Sequence, residues 1–238
     1  MSKRRPAVED AAIWIGQNAA DYGLLVSPRF AEGDWENNKS EIRHFKPKYW
    51  SIGHVMETGL VIPGKEKVVK FESVEKYLEF FENVIVRQSK SNYQMDIAAR
   101  YSKYVLAAAD QLSVPLLIPE LRYGGRDVMH KYRLDFCIID GATMERIGFE
   151  LSPSSSHVSI VDTKNKTQKQ INAEAAANFE KEMAKHKAYF KKFGIFVLIY
   201  TDIDLANMGG VFNDIRKHLT PTESQTELNF HVLDNFFN

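Results

Sequence analysis

The sequence predicts an α/β protein: a central mixed β-sheet flanked by helices, with an N-terminal α+β extension. Three observations carry this. From residue 92 onward the hydrophobic patterns follow the order helix, strand, strand, strand, helix, strand. Residues 130–152 hold two apolar strand-like runs around Asp140-Gly141, a dipeptide that favours tight hairpin turns. Residues 195–200, Ile-Phe-Val-Leu-Ile-Tyr, form a continuous apolar run, the pattern of a buried central strand.

Composition narrows the classes. At 238 residues the chain can bury a substantial core. Lys plus Arg number 31 and Asp plus Glu number 31, so no global charge draws it to nucleic acid or membrane, and any such contact needs a local basic patch. The one cysteine, Cys137, excludes an internal disulfide and a thiolate zinc site. It falls in an apolar strand and reads as a core residue. The basic N-terminus precedes an apolar run at 11–16 that is too short for a signal peptide. No run approaches the ~18 apolar residues of a membrane span. A cytoplasmic protein is expected.

In order along the chain, residues 7–30 predict a helix followed by a short strand, with Val8, Ala11, Ala12, Ile15 and Ala19 at helical spacing. That strand covers 23–28 and is closed by Pro28. Residues 31–50 are polar and aromatic. They read either as a solvated segment with buried tryptophans or as a recognition loop in which Lys39 and Arg43 meet phosphates or bases. Residues 59–64 and 68–71 read as two short strands or as one strand and a connection. Ser73 is an N-cap, with Lys76 where a capping box would place Glu or Gln. The helix behind it carries Val74, Tyr77, Leu78 and Phe81 on one face.

A longer helix spans 92–112, with Tyr93, Ile97, Tyr101, Tyr104, Val105, Ala108 and Leu112 in phase, and Pro115 stops it. Leu116-Leu117-Ile118 is a short buried strand. The hairpin of 130–152 comes next, then a Ser-rich loop with the composition of a flap over a substrate. Thr167 and Gln170 fit a capping box, with Asn172 as a competing start, for a helix running to about residue 192. Its lysines, Lys181, Lys185, Lys187, Lys191 and Lys192, suit either a solvated face near the helix C-terminus or a phosphate-binding face. Gly194 ends this helix. A last helix near 209–219 and a strand near 229–233 complete the chain.

The chemistry concentrates in the hairpin. Arg133-Leu134-Asp135-Phe136 puts one acid in its first strand, and Phe149-Glu150-Leu151-Ser152 puts another in its second. Two acids embedded in apolar strands repel unless a cation, a basic partner or solvent compensates them. Magnesium is held by one or two carboxylates while keeping waters and open positions. The competing reading pairs Asp135 and Glu150 with Arg133, Arg146 or lysines as structural salt bridges.

This pattern resembles the PD-(D/E)XK, or restriction-endonuclease-like, nuclease superfamily: an acid on one strand, then an acid, any residue and a lysine on the next. The resemblance covers residues ~92–201 and implies a restriction-endonuclease-like core at 91–238, with 1–90 as a recognition or dimerisation region. It implies a Mg²⁺-dependent endodeoxyribonuclease, with Mn²⁺ as a substitute, serving restriction or phage defence. Asp135 and Glu150 would hold the metal, with Glu120 as a further ligand. DNA is the expected partner and a homodimer is compatible with cutting both strands. The departure is Ser152 in the lysine position. A cation ~4 Å from an anion contributes roughly 4 kcal/mol at an effective dielectric of about 20, before desolvation. A hydroxyl does not supply that. Ser152 positioning water with a second metal, a lysine arriving from elsewhere (Lys164, Lys166, Lys169 or Lys185), or loss of cleavage are the three resolutions. His130, Arg133, His157, Lys164 and Lys166 are candidate DNA contacts, and Gln168 and Lys169 lie at a helix start that favours phosphate. The alternative function is a non-catalytic DNA-binding or interaction protein that keeps the fold.

Overall fold

A computed structural model describes residues 12–17, 20–25, 30–31, 34–35, 49–65, 67–122, 132–141, 143, 145–153 and 167–220. It is a mixed α/β structure. The first sheet has the order β1-β2-β5-β6, from β1 (Ala12–Gln17), β2 (Ala20–Leu25), β5 (Leu60–Val61) and β6 (Val68–Val69), all antiparallel. β3 (Phe30–Ala31) and β4 (Asp34–Trp35) pair separately. The second sheet has the order β10-β9-β8-β7, from β7 (Ile118–Pro119), β8 (Phe136–Ile139), β9 (Arg146–Leu151) and β10 (Ile195–Tyr200). It is mixed, because β10 runs parallel to β9 while the other pairs are antiparallel. The helices are α1 (Ile52–Thr58), α2 (Val74–Phe80), α3 (Asn92–Ala107), α4 (Gln168–Lys191), α5 (Asp202–Leu205) and α6 (Met208–Arg216).

The segment 12–17 is a strand, not the helix its spacing predicts. Ile13 and Ile15 pack on the large core while Trp14 packs with Leu25, Val61 and Val68 on the opposite side. Both faces are covered, so the period-two alternation that marks a strand is lost. Gly16 allows the return into β2: its φ is +83°, and a Cβ there would collide with the Ala20 carbonyl oxygen.

Ser73 caps α2 by accepting from the Lys76 N–H at 3.4 Å, and α2, as expected, buries Val74, Tyr77 and Leu78. α3 ends at Ala107, earlier than its pattern predicts, and Leu112 is exposed on the short turn that follows. The hairpin loop is wider than the two-residue turn that Asp140-Gly141 suggests: the Asp140 N–H closes it on the Glu145 carbonyl at 2.9 Å. Thr167 and Gln170 form the predicted capping box, and Gly194 (φ +66°) follows α4.

β10 lies at the edge of its sheet among the described residues, with Phe196 66% exposed, so the expectation of a central strand is corrected. Its residues divide by alternation. Ile195, Val197 and Ile199 pack with Leu134, Tyr189 and Phe190, whereas Leu198 and Tyr200 join the large core containing α3. The second sheet is therefore covered by α4 on one face and by α3 and α6 on the other. The large core is continuous from Ile15 to Leu219, spanning residues on both sides of position 90.

Candidate active site

β8 and β9 end together. One step beyond the Phe136–Phe149 pair, Asp135 stands opposite Glu150. The Leu151 N–H donates to Asp135 Oδ2 at 2.6 Å. Asp135 Oδ1 accepts a hydrogen bond from the side-chain amide of Gln94, on the first turn of α3. Gln94 is buried, and among the described residues its own Oε1 has no partner. Glu150 is buried, and its Oε2 has no partner there either.

Glu120 enters from the end of β7. Its N–H donates to the Asp135 carbonyl at 3.3 Å. Its φ of +49° is a left-handed conformation that is uncommon for a non-glycine residue and marks local strain. Arg133 Nε lies 3.4 Å from Glu120 Oε2. Glu120 therefore faces a guanidinium, and among the described residues no three His, Cys, Asp or Glu side chains form a group placed to hold a metal ion. The three-carboxylate set expected from the sequence is not assembled; two carboxylates, Asp135 and Glu150, are left without a cation among the described residues.

The electrostatics follow from burial. Desolvation raises the Glu150 carboxyl well above the usual range, with the Asp135 and Glu120 charges adding to it. Desolvation likewise raises Asp135, opposed by the Leu151 N–H and reinforced by the Glu120 charge. Glu120 is raised by burial too, opposed first by Arg133 and then by Arg122. Among the described residues neither Asp135 nor Glu150 ion-pairs with an arginine or lysine, so the salt-bridge alternative is absent there. The donor set fits magnesium in kind: two facing carboxylates, one with an orphaned buried oxygen, beside a buried amide oxygen that also lacks a partner.

Ser152 is fully buried. Its N–H donates to the Tyr200 carbonyl at 2.8 Å, and its hydroxyl is enclosed without a partner among the described residues. It does not open onto solvent. Lys169 is exposed on the first turn of α4 and bonds to neither carboxylate. Lys185 is exposed and paired with Glu182 at 3.1 Å. Lys39, Arg43, His130, His157, Lys164 and Lys166 lie outside the described residues. Gln94 is the site residue the sequence did not announce; its one signal is a polar side chain in phase with the apolar stripe Ile97, Ala98, Tyr101 and Val105. No family model, no curated protein and no solved structure matches the chain.

Proposed function

We propose that this protein is a magnesium-dependent endodeoxyribonuclease with a restriction-endonuclease-like core, acting in restriction or phage defence. The observation that carries the proposal is the pair of facing carboxylates at the end of the β8–β9 ladder, Asp135 half-buried and Glu150 buried with an unpartnered oxygen, and, among the described residues, no cation paired with either. Asp135 and Glu150 would hold the ion, and manganese would serve in its place. A bound ion of this kind supplies charge neutralisation at phosphate, a water of lowered pKa and alignment of the attack.

The chain's own residues supply the rest. Gln94 and the Leu151 N–H fix the two oxygens of Asp135, so that carboxylate is oriented before substrate arrives. Arg133, about a third exposed and paired with Glu120, offers N–H donors to a phosphate. Ser152 anchors β9 to β10 through its backbone.

The test is incubation of supercoiled plasmid with the protein and Mg²⁺ or Mn²⁺, beside EDTA, Asp135→Ala and Glu150→Ala. Nicking that needs the ion and disappears in both variants is expected. Nicking that survives both variants would place the chemistry elsewhere. One observation favours a second reading, a DNA-binding protein without cleavage: among the described residues no lysine bonds to either carboxylate. DNA binding by the wild-type protein with an intact plasmid under every metal condition would select it.

A further inference from the structure

α4 carries five lysines in its last three turns and the residue after it: Lys181, Lys185, Lys187, Lys191 and Lys192, all exposed. The same stretch, with the residue before it, holds two glutamates, Glu180 and Glu182. Lys181, Lys185 and Lys192 are spaced i, i+4 and i+11 and share one stripe, while Lys187 and Lys191 form a second row beside it. Opposite the first stripe Met183, His186 and Phe190 are buried, and the second row flanks that buried face. In a chain with no net charge this is a concentrated positive surface.

Helix chemistry explains only part of it. The macrodipole favours cations within the last turn, which accounts for Lys191 and Lys192. Lys181 and Lys185 lie two to three turns earlier. Two like-charged i, i+4 pairs, Lys181 with Lys185 and Lys187 with Lys191, are mildly destabilising in isolation. Among the described residues only Lys185 of the five has an ion-pair partner, Glu182. An external polyanion would remove that repulsion.

Position identifies the polyanion. Glu182 Oε1 accepts from the Tyr132 hydroxyl at 3.1 Å, and Tyr132 precedes Asp135 by three residues, at most about 11 Å of extended chain. The lysine stripe thus starts beside the strand that enters the carboxylate site. From Lys181 to Lys192 it rises about 16 Å, enough to follow several phosphates of one strand. A lipid surface is a poorer match along the helix itself, because its apolar face is already buried in the protein and leaves nothing to insert.

We infer that the exposed face of α4 is a phosphate-tracking surface for duplex DNA, contacting the backbone without reading sequence. This deepens the nuclease proposal by naming the surface that would deliver its substrate, yet binding is measurable apart from cleavage. The experiment is fluorescence anisotropy with a labelled DNA duplex of mixed sequence, in EDTA, across a salt series. It compares wild type, the double variant Lys181→Gln/Lys185→Gln, and a control, Lys65→Gln/Lys67→Gln, which removes two exposed lysines near the first sheet. If both α4 lysines contact phosphates, the slope of log affinity against log salt falls by about 1.8, and affinity drops roughly 60-fold near 0.1 M salt. The control should stay close to wild type. Absence of wild-type binding, an unchanged double variant, or equal losses in the two variants would overturn the inference. So would tighter binding to phosphatidylserine vesicles than to the duplex, an arm that tests the exposed Phe193 and Phe196 just beyond the helix. Because EDTA removes the metal, loss of hydrolysis and loss of binding are read separately.

Discussion

Replacing Glu150 with glutamine should stabilise the metal-free protein, and by more as pH rises. The folded carboxyl is raised by burial and by its acidic neighbours, so the native state keeps a proton that the unfolded chain releases once pH exceeds the ordinary glutamate range. The native state then binds more protons than the unfolded state, and stability falls as pH rises from that range toward the folded pKa. One such proton gives a slope of about 1.4 kcal/mol per pH unit. The glutamine side chain carries no titrating proton, so the difference between variant and wild type should grow by up to that slope. Over two units, from about pH 5.5 to about pH 7.5, the gap reaches at most about 2.7 kcal/mol. The assay is urea unfolding followed by circular dichroism, in EDTA, at matched ionic strength for both proteins. Titrating groups remote from the site cancel in the difference, whereas Asp135 and Glu120, which interact with Glu150, do not, so the slope is an upper bound. Added magnesium should recover stability in wild type, most at the upper end of the range, and much less in the variant. Parallel stability curves for the two proteins across the whole range would mean that Glu150 is solvated or already paired, and the electrostatic account of the site would fall with it.

Two further outcomes test the scaffold. A Cβ added at Gly148 would land on the Leu134 side chain, which is buried among Phe190, Ile195 and Val197; Gly148→Ala should cost about 1–3 kcal/mol in urea unfolding, and a neutral result would show that Leu134 has room to move. His54 is fully buried, with Nε2 2.8 Å from the Leu25 carbonyl and Nδ1 accepting the Trp50 N–H at 3.2 Å. Desolvation lowers its pKa to about 4, so it contributes stability above the unfolded value that is lost as pH falls toward the folded one, up to about 3 kcal/mol; an imidazole resonance for His54 that titrates near the ordinary value would refute this.

Legibility in the sequence followed how local the determinants are. The Thr167–Gln170 capping box and the Ser73 cap are decided by residues within one turn, and both formed as read. The strand at 12–17 is decided by what covers it. Ile13, Trp14 and Ile15 are all needed in cores, but in two cores on opposite faces, and an uninterrupted apolar stretch looks the same on a helix. The edge position of β10 was equally hidden: an apolar hexamer states that it will be covered on its faces, not that both its edges will be paired. The hairpin loop widened because Asp140 spends its side chain on the Thr143 N–H at 2.8 Å, a closure that opposes a two-residue turn.

The carboxylates themselves were legible because acids inside apolar strands are rare enough to need a reason. Their partner was not. Gln94 sits in the stripe that α3 buries, and a buried amide must bond to something. That requirement could have been stated from the sequence, but its answer, Asp135, lies 41 residues away and depends on packing α3 against the end of the sheet. Once it is met, the site's balance of donors and acceptors points one way. Gln94 Oε1 and Glu150 Oε2 are both acceptors, both buried and, among the described residues, both without a donor, while the Arg133 guanidinium is directed at Glu120. An excess of buried acceptors is relieved by a proton, by a metal cation or by an ordered water that donates to them. A proton serves only below the raised pKa values of the pair, whereas a divalent cation serves best above them. The pH dependence of magnesium's stabilising effect therefore separates a protonated structural cluster from a metal-binding centre.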